Sequence, residues 1–124
     1  MSMAGSELQI VLTAGVDDIP RAMLAFETAL VSACSDIEVA VFLTLHGSIW
    51  ACRSVPPGAA EPVNALIDQL LDSGVAIECC SRCADQACLE EAGQRGDDLR
   101  PGVGRAGLAT FVARAARGVP TVTF

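Results

Sequence analysis

Lysine is missing from this chain of 124 residues: its eight basic residues are all arginine, set against fifteen acidic ones, for a formal net charge of -7. That balance excludes nucleic-acid binding through a broad basic face. Charged residues are few in total, 19% against 52% hydrophobic, so neither a disordered tail nor a charged linker fits. No apolar run reaches the ~18 residues of a membrane span. The N-terminus, Met1-Ser-Met-Ala-Gly-Ser-Glu7, lacks the basic and apolar regions of a signal peptide. The expectation is a cytoplasmic protein without membrane contact. After the first strand, Gly15-Val-Asp-Asp18 carries neither the G-x-G-x-x-G nor the G-x-x-x-x-G-K-[ST] pattern, and G-x-S-x-G is absent from the chain, which disfavours dinucleotide, P-loop and nucleophile-elbow chemistry. No cofactor is expected.

What is present reads as one domain spanning residues 1–124. Leu8 to Ala14 is strand-like in length and β-branched content, and Gly15 breaks it. A helix follows, capped by Asp17 or Asp18, with Pro20 in its first turn and Ile19, Met23, Phe26, Leu30 and Ala33 on one face. Ile37 to Leu45 is almost continuously hydrophobic, as in a strand covered on both sheet faces. Residues 46 to 60 read as a loop with a turn at Pro56-Pro57-Gly58. A helix from about Glu61 to Ser73 buries Val63, Leu66, Ile67, Leu70 and Leu71, and Gly74 stops it.

A third strand runs from Val75 to Cys79 or Cys80, and a third helix ends around Gly93 or Gly96. Arg100 to Arg105 can hold a very short strand. A helix with Leu108, Phe111, Val112 and Ala115 on one side leads to a final strand, Val119 to Phe124. Alternating strands and helices imply right-handed crossovers and a three-layer α/β/α domain around a mostly parallel sheet. Ligands of such sheets sit beyond the carboxyl ends of the strands. Gly15 to Asp18, His46 to Trp50 and Cys80 to Cys83 therefore share one edge.

Four of the six cysteines fall within ten residues: Cys79, Cys80, Cys83 and Cys88. Adjacent Cys79 and Cys80 are awkward to bridge to each other, and with no export signal reduced thiols are expected throughout. Alternation along the strand turns Cys79 to one face and Cys80 to the other, so Cys79 reads as a small buried hydrophobe. Cys80 stands where backbone N–H groups and the helix dipole favour a thiolate over a thiol. Arg82 would reinforce that effect and Glu78 oppose it.

Cys83, three residues on, either shares the first helical turn with Cys80 as its partner or packs into the core. Cys88 is turned well away from both and reads as packing. The Cys80-x-x-Cys83 spacing suits a metal knuckle, but no second such pair exists to complete a tetrahedral site, so no metal is expected. His46 reads either as a proton shuttle beside the thiols or as an ordinary exposed loop residue. His46, Gly47 and Arg82 are the candidate substrate-contacting residues.

In their order and spacing, several short motifs together resemble the DsrE-like family of small α/β proteins, which includes subunits of bacterial sulfur-relay complexes. They are Thr13-Ala-Gly-Val-Asp-Asp-Ile-Pro-Arg-Ala22, Val41-Phe-Leu-Thr-Leu-His-Gly47, Val75 to Ala84, Leu99-Arg-Pro-Gly-Val-Gly-Arg-Ala-Gly107 and Val119 to Phe124. Where many relatives have Arg-Gly after the cysteine motif, this chain has Ala87-Cys88.

The resemblance implies a parallel sheet of about five strands and frequent assembly into trimers or hexamers. In sulfur-trafficking members, it also implies a persulfide on the cysteine that ends the third strand. Cys80 matches that position, and Cys83 matches the second cysteine of C-x-x-C members. The implied function is a sulfur carrier that takes sulfane sulfur on Cys80 and passes it to a protein partner, with Cys83 resolving or protecting it. Two rivals remain: a thiol-disulfide redox protein using Cys80 and Cys83, and a non-catalytic oligomeric binding module.

Overall fold

A computed structural model of the protein describes residues 5–53, 58, 60–90 and 99–124. The near-continuous apolar segments become the centre of the sheet: β1 (Glu7–Leu12) pairs in parallel with β2 (Glu38–Leu43), Ile10 opposite Val41. Strand β3 (Ala76–Cys80) adds beside β2, and β4 (Gly104–Ala106) beside β3. Strand β5 (Thr121–Thr123) lies against the far side of β1, giving the order β4-β3-β2-β1-β5 with every pairing parallel. The chain thus steps outward three times, then returns across the sheet.

Helices α1 (Ile19–Cys34), α2 (Glu61–Asp72) and α3 (Ser81–Glu90) cover one face. Asp18 caps α1 by accepting from the Arg21 N–H at 3.2 Å, as Asp at an N-cap position allows. The buried face of α1 is centred on Ala22, Ala25, Phe26 and Ala29, while the expected Ile19, Met23, Leu30 and Ala33 flank it half-buried. Small side chains on that stripe let the helix backbone sit close to the sheet. Gly74 ends α2 at φ 82°, a left-handed position that favours glycine.

Helix α4 (Leu108–Ala116) takes the opposite face and completes the three layers. Its Phe111 ring lies 5.7 Å from that of Phe42. Beneath it Arg114 donates to Glu78 Oε1 at 2.6 Å and to the fully buried Gln9 at 3.4 Å, so the polar groups of this face are mutually satisfied. The expected apolar side of α4 is covered only in part, because Leu108 and Val112 remain 62% and 56% exposed.

The loop expected over residues 46 to 60 is not irregular at its start. Leu45–Ala51 forms a 3-10 helix whose residues 47 to 51 are all buried. Trp50 anchors it, donating its indole N–H to the Ala14 carbonyl at 2.9 Å. Pro56 and Pro57 of the expected turn, and Gly93 and Gly96 at the expected end of the third helix, lie outside the described residues.

Candidate functional site

The carboxyl ends of β1, β2 and β3 converge because two glycines permit it. A side chain on Gly15 would collide with the His46 carbonyl oxygen, and one on Gly47 with the Leu12 carbonyl oxygen. Gly47 instead donates its N–H to Thr13 and Thr44 carbonyls, both at 3.0 Å. The loop after β1 and the 3-10 helix after β2 are thereby drawn together at the edge where β3 delivers its cysteines.

At that edge Cys79 and Cys80 diverge as alternation requires. Cys79 is fully buried in the main core, in a strand packed against α3 and the 3-10 helix, and its thiol donates to the Cys80 carbonyl at 3.5 Å. Burial pushes its pKa up to about 12, reinforced by Cys83 and Cys80 and only partly offset by Ser48 and Arg105. A thiol so held stays neutral and inert. Cys80 is half-buried and packs with Val11, Phe42, Ala106 and Phe111 on the α4 face.

Cys83 sits in the first turn of α3, half-buried. Burial alone raises its pKa, but hydrogen bonds from the Thr44 hydroxyl, the Leu45 backbone N–H and the Cys80 thiol outweigh that and leave it below the ordinary thiol value. Thr44 Oγ1 stands 3.6 Å from its sulfur. Leu45 adopts φ 54°, a conformation costing about 1–2 kcal/mol for a residue with a Cβ; that backbone presents its N–H to Cys83. The sequence pointed to Cys80 as the more thiolate-like sulfur; the donors gather on Cys83.

The expected substrate contacts are distributed differently. Gly47 is buried and acts through its backbone, whereas His46 and Arg82 are exposed at the rim. Thr44, Leu45 and Ser48 were not singled out by sequence. Thr44 follows β2 directly and so was within reach of the strand-end rule. Nothing in a leucine announces a left-handed backbone.

The expectation of reduced thiols throughout is corrected for two residues. Cys52, at the end of the 3-10 helix, and Cys88, on α3, form a disulfide with Cα atoms 5.4 Å apart. Both are fully buried. Cys88 does turn away from Cys80 and Cys83, but toward a partner 36 residues earlier. The bridge ties together the two elements that carry Thr44's neighbours and Cys83. Among the described residues no group of three or more His, Cys, Asp or Glu side chains is placed to hold a metal ion.

Comparison with known proteins extends this picture. Residues 7–124 match the DsrE/DsrF-like family. The chain belongs to that family. A solved DsrE-type fold superposes in YchN of E. coli, with a TM-score of 0.69 and 18% identity over 100% of both chains. The protein of unknown function MTH1491 from Methanobacterium thermoautotrophicum gives a TM-score of 0.68 and 21% identity, covering 94% of this chain and 99% of its own. At such identities the shared property is the fold. A search of curated proteins finds no match. Among the described residues of this DsrE/DsrF-like protein, no helix is long and apolar enough to cross a membrane.

Proposed function

We propose that this DsrE/DsrF-like protein is a cytoplasmic sulfur carrier in which the Cys80/Cys83 turn holds a persulfide and hands its sulfane sulfur to a protein partner. Family membership supports the class of chemistry. The observation that carries the reading is the convergence of Thr44, Leu45 and Cys80 on the sulfur of Cys83. That convergence favours Cys83 as the attacking thiolate and Cys80 as its partner, the reverse of the order the resemblance implied.

Thiolate Cys83 attacks the outer sulfur of a donor persulfide. The new S–S bond forms as the donor's S–S bond breaks, and the donor leaves as a thiolate that takes up a proton. An acceptor thiolate repeats the exchange at the outer sulfur, restoring Cys83. Alternatively Cys80 attacks the inner sulfur, releasing hydrogen sulfide and leaving a Cys80–Cys83 disulfide. His46 and Arg82 are the proposed contacts for donor or acceptor at the rim. A homo-oligomer is part of the proposal, supported by the uncovered apolar side of α4.

The test offers glutathione persulfide to the wild-type chain and to Cys80→Ser and Cys83→Ser, and reads added sulfur on each cysteine by peptide mass spectrometry. Loading should persist in Cys80→Ser and vanish in Cys83→Ser. Loading that vanishes only in Cys80→Ser would return the carrier role to Cys80. A wild-type chain that takes up no sulfur at all would leave the thiol-disulfide reading in its place.

A further inference from the structure

One buried polar atom near the cysteine turn is left over. The Ser48 hydroxyl is fully enclosed, and among the described residues it is the sole buried side-chain oxygen or nitrogen without a hydrogen-bond partner. An unsatisfied buried hydroxyl costs about 1–3 kcal/mol, so its retention calls for an explanation. Nothing about the packing of the 3-10 helix requires a hydroxyl there, since Ile49 and Ala51 beside it are held by apolar contacts and Trp50 by its own bond to Ala14.

Its surroundings narrow the explanation. Ser48 belongs to the 3-10 helix that packs on α3 and faces the sulfurs of Cys83 and Cys79, influencing both without a full hydrogen bond to either. Cys83 lies in the first turn of α3, where unpaired backbone N–H groups and the helix dipole already favour negative charge. A second sulfur bonded about 2 Å from a thiol sulfur extends the side chain toward groups that the thiol alone does not engage.

We propose that Ser48 is a binding residue for the outer sulfur of a persulfide on Cys83, donating its otherwise unpartnered O–H to the persulfide anion. This rests on the sulfur-carrier reading and adds to it the group that receives the cargo. The hydroxyl is idle in the unloaded chain and becomes satisfied on loading. Ser48 supplies no proton to the exchange itself; the outer sulfur keeps its negative charge, and the hydrogen bond lowers the free energy of that ionised form.

The experiment loads wild type, Ser48→Ala and Ser48→Thr with glutathione persulfide, removes the excess, and titrates the near-ultraviolet absorbance of the bound persulfide against pH. Loss of a hydrogen bond to a charged group should raise the titration midpoint in Ser48→Ala by about one unit, a tenfold change in ionisation. Ser48→Thr, which keeps the hydroxyl, should follow wild type. The unloaded Ser48→Ala protein should melt no lower than wild type, a result that a structural hydrogen bond would not give. Should the alanine variant fail to fold, Ser48→Gly is expected to show the same shift. A loaded hydroxyl-free variant that titrates like wild type overturns the role of Ser48 while leaving the carrier reading intact. A wild-type chain that cannot be loaded overturns both.

Discussion

Thr44 Oγ1 and Cys83 Sγ lie 3.6 Å apart, one at the end of β2 and the other in the first turn of α3. The contact joins neighbouring strand ends across 39 residues of chain and gives the thiol a donor that its own helix does not supply. Replacing Thr44 by valine keeps the shape and removes the hydroxyl. The pH midpoint of Cys83 alkylation should then rise by about 0.5–1 unit. Peptide-resolved alkylation rates check this, and an unmoved midpoint would show that Thr44 contributes packing only.

Cys79 makes a prediction of a different sign. Its thiol ionises near 9.0 in a free chain and near 12 in the fold, because burial disfavours the charged form. The neutral thiol therefore contributes stability that is fully present below about pH 9 and is lost as pH rises from there toward about 12. Chemical denaturation at about pH 8 and about pH 10.5 should show wild type losing roughly 2 kcal/mol more than Cys79→Ala over that interval. Equal losses would mean that Cys79 is not held in a low-dielectric site.

The Cys52–Cys88 bridge closes a long segment and pins the 3-10 helix to α3. Removing it in a Cys52→Ala/Cys88→Ala protein should cost on the order of 3–4 kcal/mol for a loop of this length. The same change should loosen Thr44 and Leu45 relative to Cys83, so the alkylation midpoint of Cys83 should also rise. A stability loss with no movement of that midpoint would confine the bridge to a structural role.

Gly47 is the position where the site depends most directly on the absence of a side chain. A Cβ there meets the Leu12 carbonyl, which is backbone and cannot swing aside. Gly47→Ala should destabilise the fold by about 1–3 kcal/mol and slow sulfur loading of Cys83 by displacing Thr44 and Leu45. Thermal melting with a loading assay checks both effects.

How much of this was legible beforehand differs from residue to residue. Val41 and Phe42 face opposite sides of a covered strand, so an unbroken apolar segment was enough to place β2 at the sheet centre. Alternation correctly turned Cys79 and Cys80 to opposite faces, Cys79 into the main core and Cys80, as the structure shows, to the α4 side. The donors around Cys83 were less legible because Thr44 and Leu45 reach it only through the tertiary packing of the segment after β2 on α3. Likewise, the helical angle showed where Cys88 did not point, but only the packing of α3 on the 3-10 helix brings Cys52 opposite it.

The outer side of α4 remains to be accounted for. Leu108 and Val112 are 62% and 56% exposed, and α4 contributes no fully buried residue to its own fold. Scattered exposed apolar side chains are ordinary, but two one turn apart on the layer that covers the sheet least favour a surface closed by a second copy of the chain. Leu108→Glu/Val112→Glu places like charges in that surface, where two copies would each have to bury them without partners. The double variant should sediment as a monomer while wild type sediments as an oligomer. Its melting temperature extrapolated to low protein concentration should match that of dissociated wild type, because exposed positions contribute little within one chain. If wild type is already monomeric, or the variant assembles unchanged, copies of this chain do not meet through α4.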